Sequence, residues 1–175
     1  MVVVIMEEQP CRSDPPVSRS PDPPIRVPPD RRLPETMATT HQPDQAEFRS
    51  VLPEDIDWQP FPSFPPEARL AAVVGHLSEP GPYVVRVKVP SGVKLMPHRH
   101  HEDRVYTVMS GVFYIGLGDE FDEAKLQPFP PGAVVVLPGG TSHFHWAKSG
   151  EYVTQVTAIG PISLDYVRPE DDPRN

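Results

Sequence analysis

The sequence predicts an all-β domain, an antiparallel sandwich or barrel, behind a disordered proline-rich tail. Three observations carry this. From residue 82 onward the segments PYVVRVKV, FYIGLG, AVVVLP, YVTQVTAIG and ISLDYV follow one another, rich in Val, Ile, Tyr and Thr and bounded by Gly and Pro. No helix-length amphipathic pattern interrupts them. Proline makes up 26 of the 175 residues, and its meaning changes along the chain: the early prolines sit in polar sequence, whereas the later ones punctuate strands. Short strands at such intervals point to a sandwich or a barrel.

Taken in order, residues 7–46 combine Pro, Asp, Arg and Ser with scattered single aliphatics and no period of 2 or 3.6. Such a stretch cannot bury enough apolar surface to offset its chain entropy, so 1–47 is expected to be a disordered tail with polyproline character. The ordered domain is expected over 48–175. It opens on prolines and aromatics, where Trp58, Phe61 and Phe64 are expected to plug the core from an irregular arm. RLAAVVGHL, 69–77, fits a strand or a short helix, and DEFDEAKLQ, 119–127, fits a loop or a single helical turn.

Charge and composition exclude several functions. The formal net charge is −8, with no cluster of Lys and Arg to grip nucleic acid. No stretch approaches the roughly 18 apolar residues of a membrane span, and the start, MVVVIMEEQPC, lacks the basic region of a secretory signal. The single cysteine, Cys11, forms no intrachain disulfide. A soluble cytoplasmic protein is expected, and VVRVKV and VTQVTAIG offer sheet surfaces on which a homodimer could form. An acidic chain can still hold a locally positive pocket, so a small anionic ligand stays possible.

Chemistry concentrates in two places. PHRHHEDRVYTVMSG, 97–111, carries His98 and His100, which share one face of a strand because residues two apart do. Two imidazoles on one face converge as a metal requires. His101 has the opposite parity and is expected at the surface. PGGTSHFHWA, 138–147, carries a second such pair, His143 and His145, after a Pro-Gly-Gly turn. One of these two could supply a third imidazole from a different strand, and spacing does not choose between them. Four of the seven histidines fall in these two His-x-His pairs, which points to a divalent transition metal.

These residues resemble the cupin superfamily. Its first motif runs glycine, five residues, His-x-His, three residues, glutamate, six residues, glycine; Gly92, His98, His100 and Gly111 match. Its second motif is matched by Gly132, Pro138, Gly140 and His143, with Ala147 where asparagine is usual. The resemblance implies a double-stranded β-helix, a small jelly-roll barrel, with a metal in its mouth held by His98, His100 and His143. It implies iron, zinc, manganese, nickel or copper as that metal. It also implies a small-molecule substrate or ligand, with a dioxygenase or other oxidoreductase as the expected enzyme class and a non-catalytic sensor or binder as the alternative. Fold alone does not decide between them.

The departure from the motif is Arg104, which stands where the glutamate is expected. On a straight strand 98, 100, 102 and 104 share one face, and four arrangements stay open, one of them a bulge that turns Arg104 outward. Glu102 could reach the metal, Glu102 could pair with Arg104, or Arg104 could face the pocket and bind a substrate anion with its planar fork. His145, as a further ligand or a general base, and Tyr106, of the same parity as Arg104, complete the candidates for catalysis. Met37, followed by ATTHQPDQAEF, reads as an ordinary polar protein start. The intact mass of the native protein distinguishes a chain beginning there from one beginning at Met1.

Overall fold

Ten strands build the domain, and alternating burial along them fixes which side chains meet. The structure, a computed structural model, describes residues 41–42 and 45–175. Nearly all of the expected tail over 1–47, with Cys11 and Met37, lies outside the described residues. The strands are β1 (Arg69–Val74), β2 (Gly81–Val89), β3 (Lys94–Arg99), β4 (Arg104–Ser110), β5 (Phe113–Leu117), β6 (Gln127–Phe129), β7 (Val134–Leu137), β8 (His143–Trp146), β9 (Tyr152–Gly160) and β10 (Asp165–Tyr166). They form two five-stranded sheets in the orders β1-β2-β9-β4-β7 and β10-β3-β8-β5-β6, with antiparallel pairing throughout. The all-β double-stranded barrel expected from the sequence is the fold observed.

The core lies between the sheets. Along β2, Tyr83, Val85, Val87 and Val89 point inward while the residues between them do not. Tyr106 and Val108 of β4, Phe113 and Ile115 of β5, and Tyr152 and Val156 of β9 meet them. Each fully buried aliphatic or aromatic side chain contributes about 1.5–3 kcal/mol. RLAAVVGHL resolves as strand β1 because it lies along β2 in register from Arg69↔Lys88 to Val74↔Val84. In DEFDEAKLQ, Asp122 caps a single 3-10 turn, Glu123–Lys125, by accepting from the Ala124 N–H at 2.9 Å. Of the aromatic arm, Phe64 is buried in the core and Phe61 packs against it, the two rings meeting edge-on at 5.0 Å, whereas Trp58 stays half-buried outside the core cluster with the Lys88 ammonium 4.2 Å from its ring centre. Among the described residues, no helix is long and apolar enough to cross a membrane.

One irregularity positions the site. The β3–β8 pairing runs through Lys94↔Trp146 and Leu95↔His145, then shifts before His98↔His143. Pro97 sits in that bulge, where its missing N–H costs no ladder hydrogen bond. The shift changes the phase of the strand. Leu95 points inward upstream of it, and His98 and His100 point inward downstream.

Candidate metal centre

The register places His98 directly across from His143, with their ring centres 4.3 Å apart. His145, two residues on along β8, has its ring centre 5.0 Å from that of His143 and 5.4 Å from that of His98. His100, just beyond the end of β3, lies 5.0 Å from His98 and 5.1 Å from His143. All four are buried. One nitrogen from each of His98, His143 and His145 lies within 4.8 Å of the other two, so these three could hold a metal ion. The triple expected from the sequence, His98, His100 and His143, shares two members with that group, and His100 packs against both of them. His101 faces outward and pairs with Asp165 at 2.7 Å.

Three of the rings are held in one tautomer. Nδ1 of His98 bonds the Met96 carbonyl at 2.7 Å, Nδ1 of His143 the Thr141 carbonyl at 3.0 Å, and Nδ1 of His100 the Ser163 carbonyl at 2.6 Å. A carbonyl only accepts, so each Nδ1 carries the proton and each Nε2 keeps its lone pair. Metal-binding histidines are set up in this way, with an outer carbonyl fixing both tautomer and orientation.

The polar atoms around this point fit a cation. Among the described residues, His143 Nε2, His145 Nε2, Tyr106 OH and Tyr152 OH are buried side-chain atoms with no hydrogen-bond partner. Buried polar groups ordinarily have one. Tyr106, Tyr152 and His145 line a cavity of about 10 Å³ together with His98, His100 and Arg104. That volume suits an ion or a single water. The donor set is entirely imidazole, which suits zinc, copper or iron.

Arg104 does point inward from β4 and is buried, while Glu102, weighed above as a ligand, engages it instead. Glu102 Oε1 accepts from Arg104 Nη2 at 2.5 Å, from Arg104 Nε at 3.0 Å and from the Tyr83 hydroxyl at 2.8 Å. Its Oε2 accepts from the Ser163 hydroxyl at 2.6 Å. Arg104 Nη2 also donates to the Ser163 carbonyl at 3.0 Å, the same carbonyl that accepts from His100. Both carboxylate oxygens are thus engaged away from the histidines. Tyr106 packs its ring between Phe113, stacked at 5.5 Å, and His145, edge-on at 6.0 Å. Ser163 and Tyr83 are contributors that sequence reasoning missed. Tyr83 was accessible through its inward parity in PYVVRVKV; a lone serine in a connecting segment gives no signal.

Electrostatics keep the imidazoles neutral. Burial lowers the pKa of all four histidines, and the Arg104 charge lowers each further. His143 falls from 6.5 to about 4. For Glu102, burial favours the neutral acid, but the Arg104 guanidinium and the Ser163 hydroxyl outweigh it and hold the carboxyl below its ordinary range. Burial raises the Tyr106 phenol, so it stays protonated.

Two glycines let the histidine pairs approach each other. A Cβ on Gly139 would stand 2.3 Å from the His101 carbonyl oxygen, so no side chain fits there. The Gly139 N–H donates to Asp103 at 2.7 Å, and the N–H of Gly140, at φ +76°, donates to the His100 carbonyl at 2.7 Å. The turn before β8 is thereby fastened to the loop after β3.

No family model and no curated protein matches the chain, but solved structures do. The polyketide cyclase RemF from Streptomyces resistomycificus is 16% identical over 73% of this chain and 91% of its own, with a TM-score of 0.58. An RmlC-like cupin protein from Ralstonia eutropha is 18% identical over 72% of this chain and 76% of its own, with a TM-score of 0.54. The fold is that of the cupins. The DMSP lyase DddQ from Ruegeria pomeroyi shares this cupin fold at a TM-score of 0.55, with 16% identity over 67% of this chain and 64% of its own. Within the cupin barrel, the histidines of this chain lie on the β3–β8 pair, and Arg104 faces them from the opposite sheet.

Two outcomes follow for stability. His143 titrates near 4 in the folded protein and near 6.5 when unfolded. Its contribution is therefore complete above about pH 6.5 and is lost as the pH falls toward 4, by roughly 3 kcal/mol. The urea midpoint of metal-free protein should drop over that interval; a flat midpoint would contradict the burial of a neutral imidazole. Glu102→Ala leaves a buried guanidinium unpaired and should cost about 3–5 kcal/mol, and adding Arg104→Leu should recover most of that loss. Urea unfolding of both variants checks this.

Proposed function

We propose that this protein is a mononuclear metal enzyme acting on a small organic molecule, with His98, His100, His143 and His145 as the residues that hold the metal. The observation that carries the reading is the set of converging imidazoles in a buried site, three of them fixed at Nδ1 by backbone carbonyls. Four neutral ligands leave the full charge on a divalent ion, and such an ion supplies Lewis acidity or, if it is iron or copper, redox chemistry.

The surrounding side chains have distinct tasks on this reading. The Met96, Thr141 and Ser163 carbonyls orient the rings. The Arg104–Glu102 pair holds Ser163, and through it His100. Arg104 therefore acts as a positioning residue, with two of its nitrogens bonded internally, and not as the recogniser of a substrate anion. The Tyr106 and Tyr152 hydroxyls, both kept protonated by burial, are groups able to donate a proton at the cavity wall.

Two proteins of similar structure, a polyketide cyclase and a DMSP lyase, are enzymes, which supports a catalytic role over a purely structural one. Oxidative chemistry of the dioxygenase kind is the reaction to examine with iron. A second reading, a non-catalytic metal-dependent binder, is favoured by the size of the cavity among the histidines, about 10 Å³, which admits no substrate.

Protein purified without chelators, or reconstituted, should carry about one divalent transition metal per chain by elemental analysis. His98→Ala and His143→Ala should lose it. Failure of the wild type to take up any metal overturns the proposal. Oxygen uptake by the iron(II) form with catechols or diketones, compared with turnover by the zinc form, distinguishes the enzyme classes. Absence of turnover with a ligand that binds favours the second reading.

A further inference from the structure

A second cavity, of about 450 Å³, opens between the two sheets at the β6–β7 side. Its volume falls in the range of small-molecule pockets. No histidine lines it, yet the register makes it the neighbour of the metal centre. Four of its wall residues lie directly across a strand pair from a residue of the site: Leu117 opposite His143, Ile115 opposite His145, Leu137 opposite Arg104 and Val135 opposite Tyr106. Residues directly opposite in an antiparallel pair project from the same face, about 4.5–5.5 Å apart at Cβ. The cavity thus continues the inner face that carries the histidines, and its walls there are aliphatic.

Its polar side chains are Lys125, Gln127 and Thr141. Thr141 is the residue whose carbonyl fixes His143. Lys125 stands apart from the other basic residues of this end of the barrel. Arg99 pairs with Asp119 at 2.7 Å and Lys148 with Glu123 at 2.6 Å. The one ion pair of Lys125 among the described residues is with Asp122 at 4.0 Å. Its ammonium lies over Gly118, beside Leu117, where a Cβ on that glycine would be 3.7 Å from it. On the metal side no carboxylate balances an ion, because Glu102 is engaged by Arg104.

We infer that this cavity is the substrate seat and that it takes a small organic anion with an apolar body, the aliphatic walls holding the body and Lys125 meeting the charge. The inference rests on the metal-enzyme reading for its catalytic meaning, while ligand binding can be measured independently of it. A bulky apolar molecule fits a cavity of this lining, and an acid group matches the Lys125 ammonium, whose ion pair with Asp122 is long, at 4.0 Å.

The test is isothermal titration of metal-loaded protein with 1-naphthoate and with its neutral counterpart 1-naphthamide. Naphthoate should bind about tenfold or more tightly than the amide. Lys125→Gln should bring the acid down to the level of the amide. Leu117→Trp fills the cavity from a half-exposed position and should weaken both ligands by about tenfold or more, leaving metal content unchanged. Val135→Phe, from the facing sheet, is a second filling variant should the first fail to fold. Equal binding of acid and amide, an unaffected Lys125→Gln, or filling variants that fold and bind as the wild type does would each overturn the inference. Protein that binds no metal but shows the predicted naphthoate pattern would overturn the metal-enzyme reading and leave the seat standing.

Discussion

A guanidinium buried to 4% exposure must be neutralised where it stands, and the arrangement around the histidines depends on how Glu102 does so. An unpaired charge at that depth would carry a desolvation cost of several kcal/mol. Glu102 removes it by binding Arg104 through two nitrogens, with Tyr83 and Ser163 filling its remaining acceptor sites. The pair then fixes Ser163, whose carbonyl sets the tautomer of His100. One ion pair thereby links both sheets to the ring of a candidate ligand. It also withdraws the nearest carboxylate from the histidines, which leaves the site entirely imidazole.

Much of this was legible in the sequence, for a physical reason. Strand parity is a strict period, so His98, His100 and Arg104 could be placed on one face, and the Pro-Gly-Gly turn marked where the second pair begins. The buried positions of those three residues agree with that reading. The route to it differs from a straight strand. A bulge at Pro97 resets the phase before His98, and residues 100–103 form a loop, so Glu102 is free to turn sideways onto Arg104. Loop geometry has no period to read, which is why the partner of Arg104 stayed open. Ser163 was invisible because it acts through its backbone carbonyl, which every residue possesses. The short β6 was likewise hidden, since three residues containing a proline give no alternation.

On the metal-enzyme reading, the two cavities would divide the holding of the ion from the holding of the substrate. The small one is ion-sized and brings imidazoles, Arg104 and two phenols together among apolar side chains, and the large one has mostly aliphatic side chains with the Lys125 ammonium at its wall. They meet across strand pairs, so the walls of one are the cross-strand neighbours of the other.

The direct pairing of His98 with His143 has a consequence for how the chain reaches its native state. The two residues belong to distant parts of the sequence, and β8 is buried on both faces, with Phe144 sitting between the two histidines. A slip of one residue between β3 and β8 would keep an apolar ring inward and send an imidazole outward. Hydrophobic collapse alone therefore discriminates poorly between the correct pairing and its nearest error. On the metal-binding reading, an ion supplied during folding binds only the correct alignment, so it would act as a proofreader of strand pairing as well as a reagent.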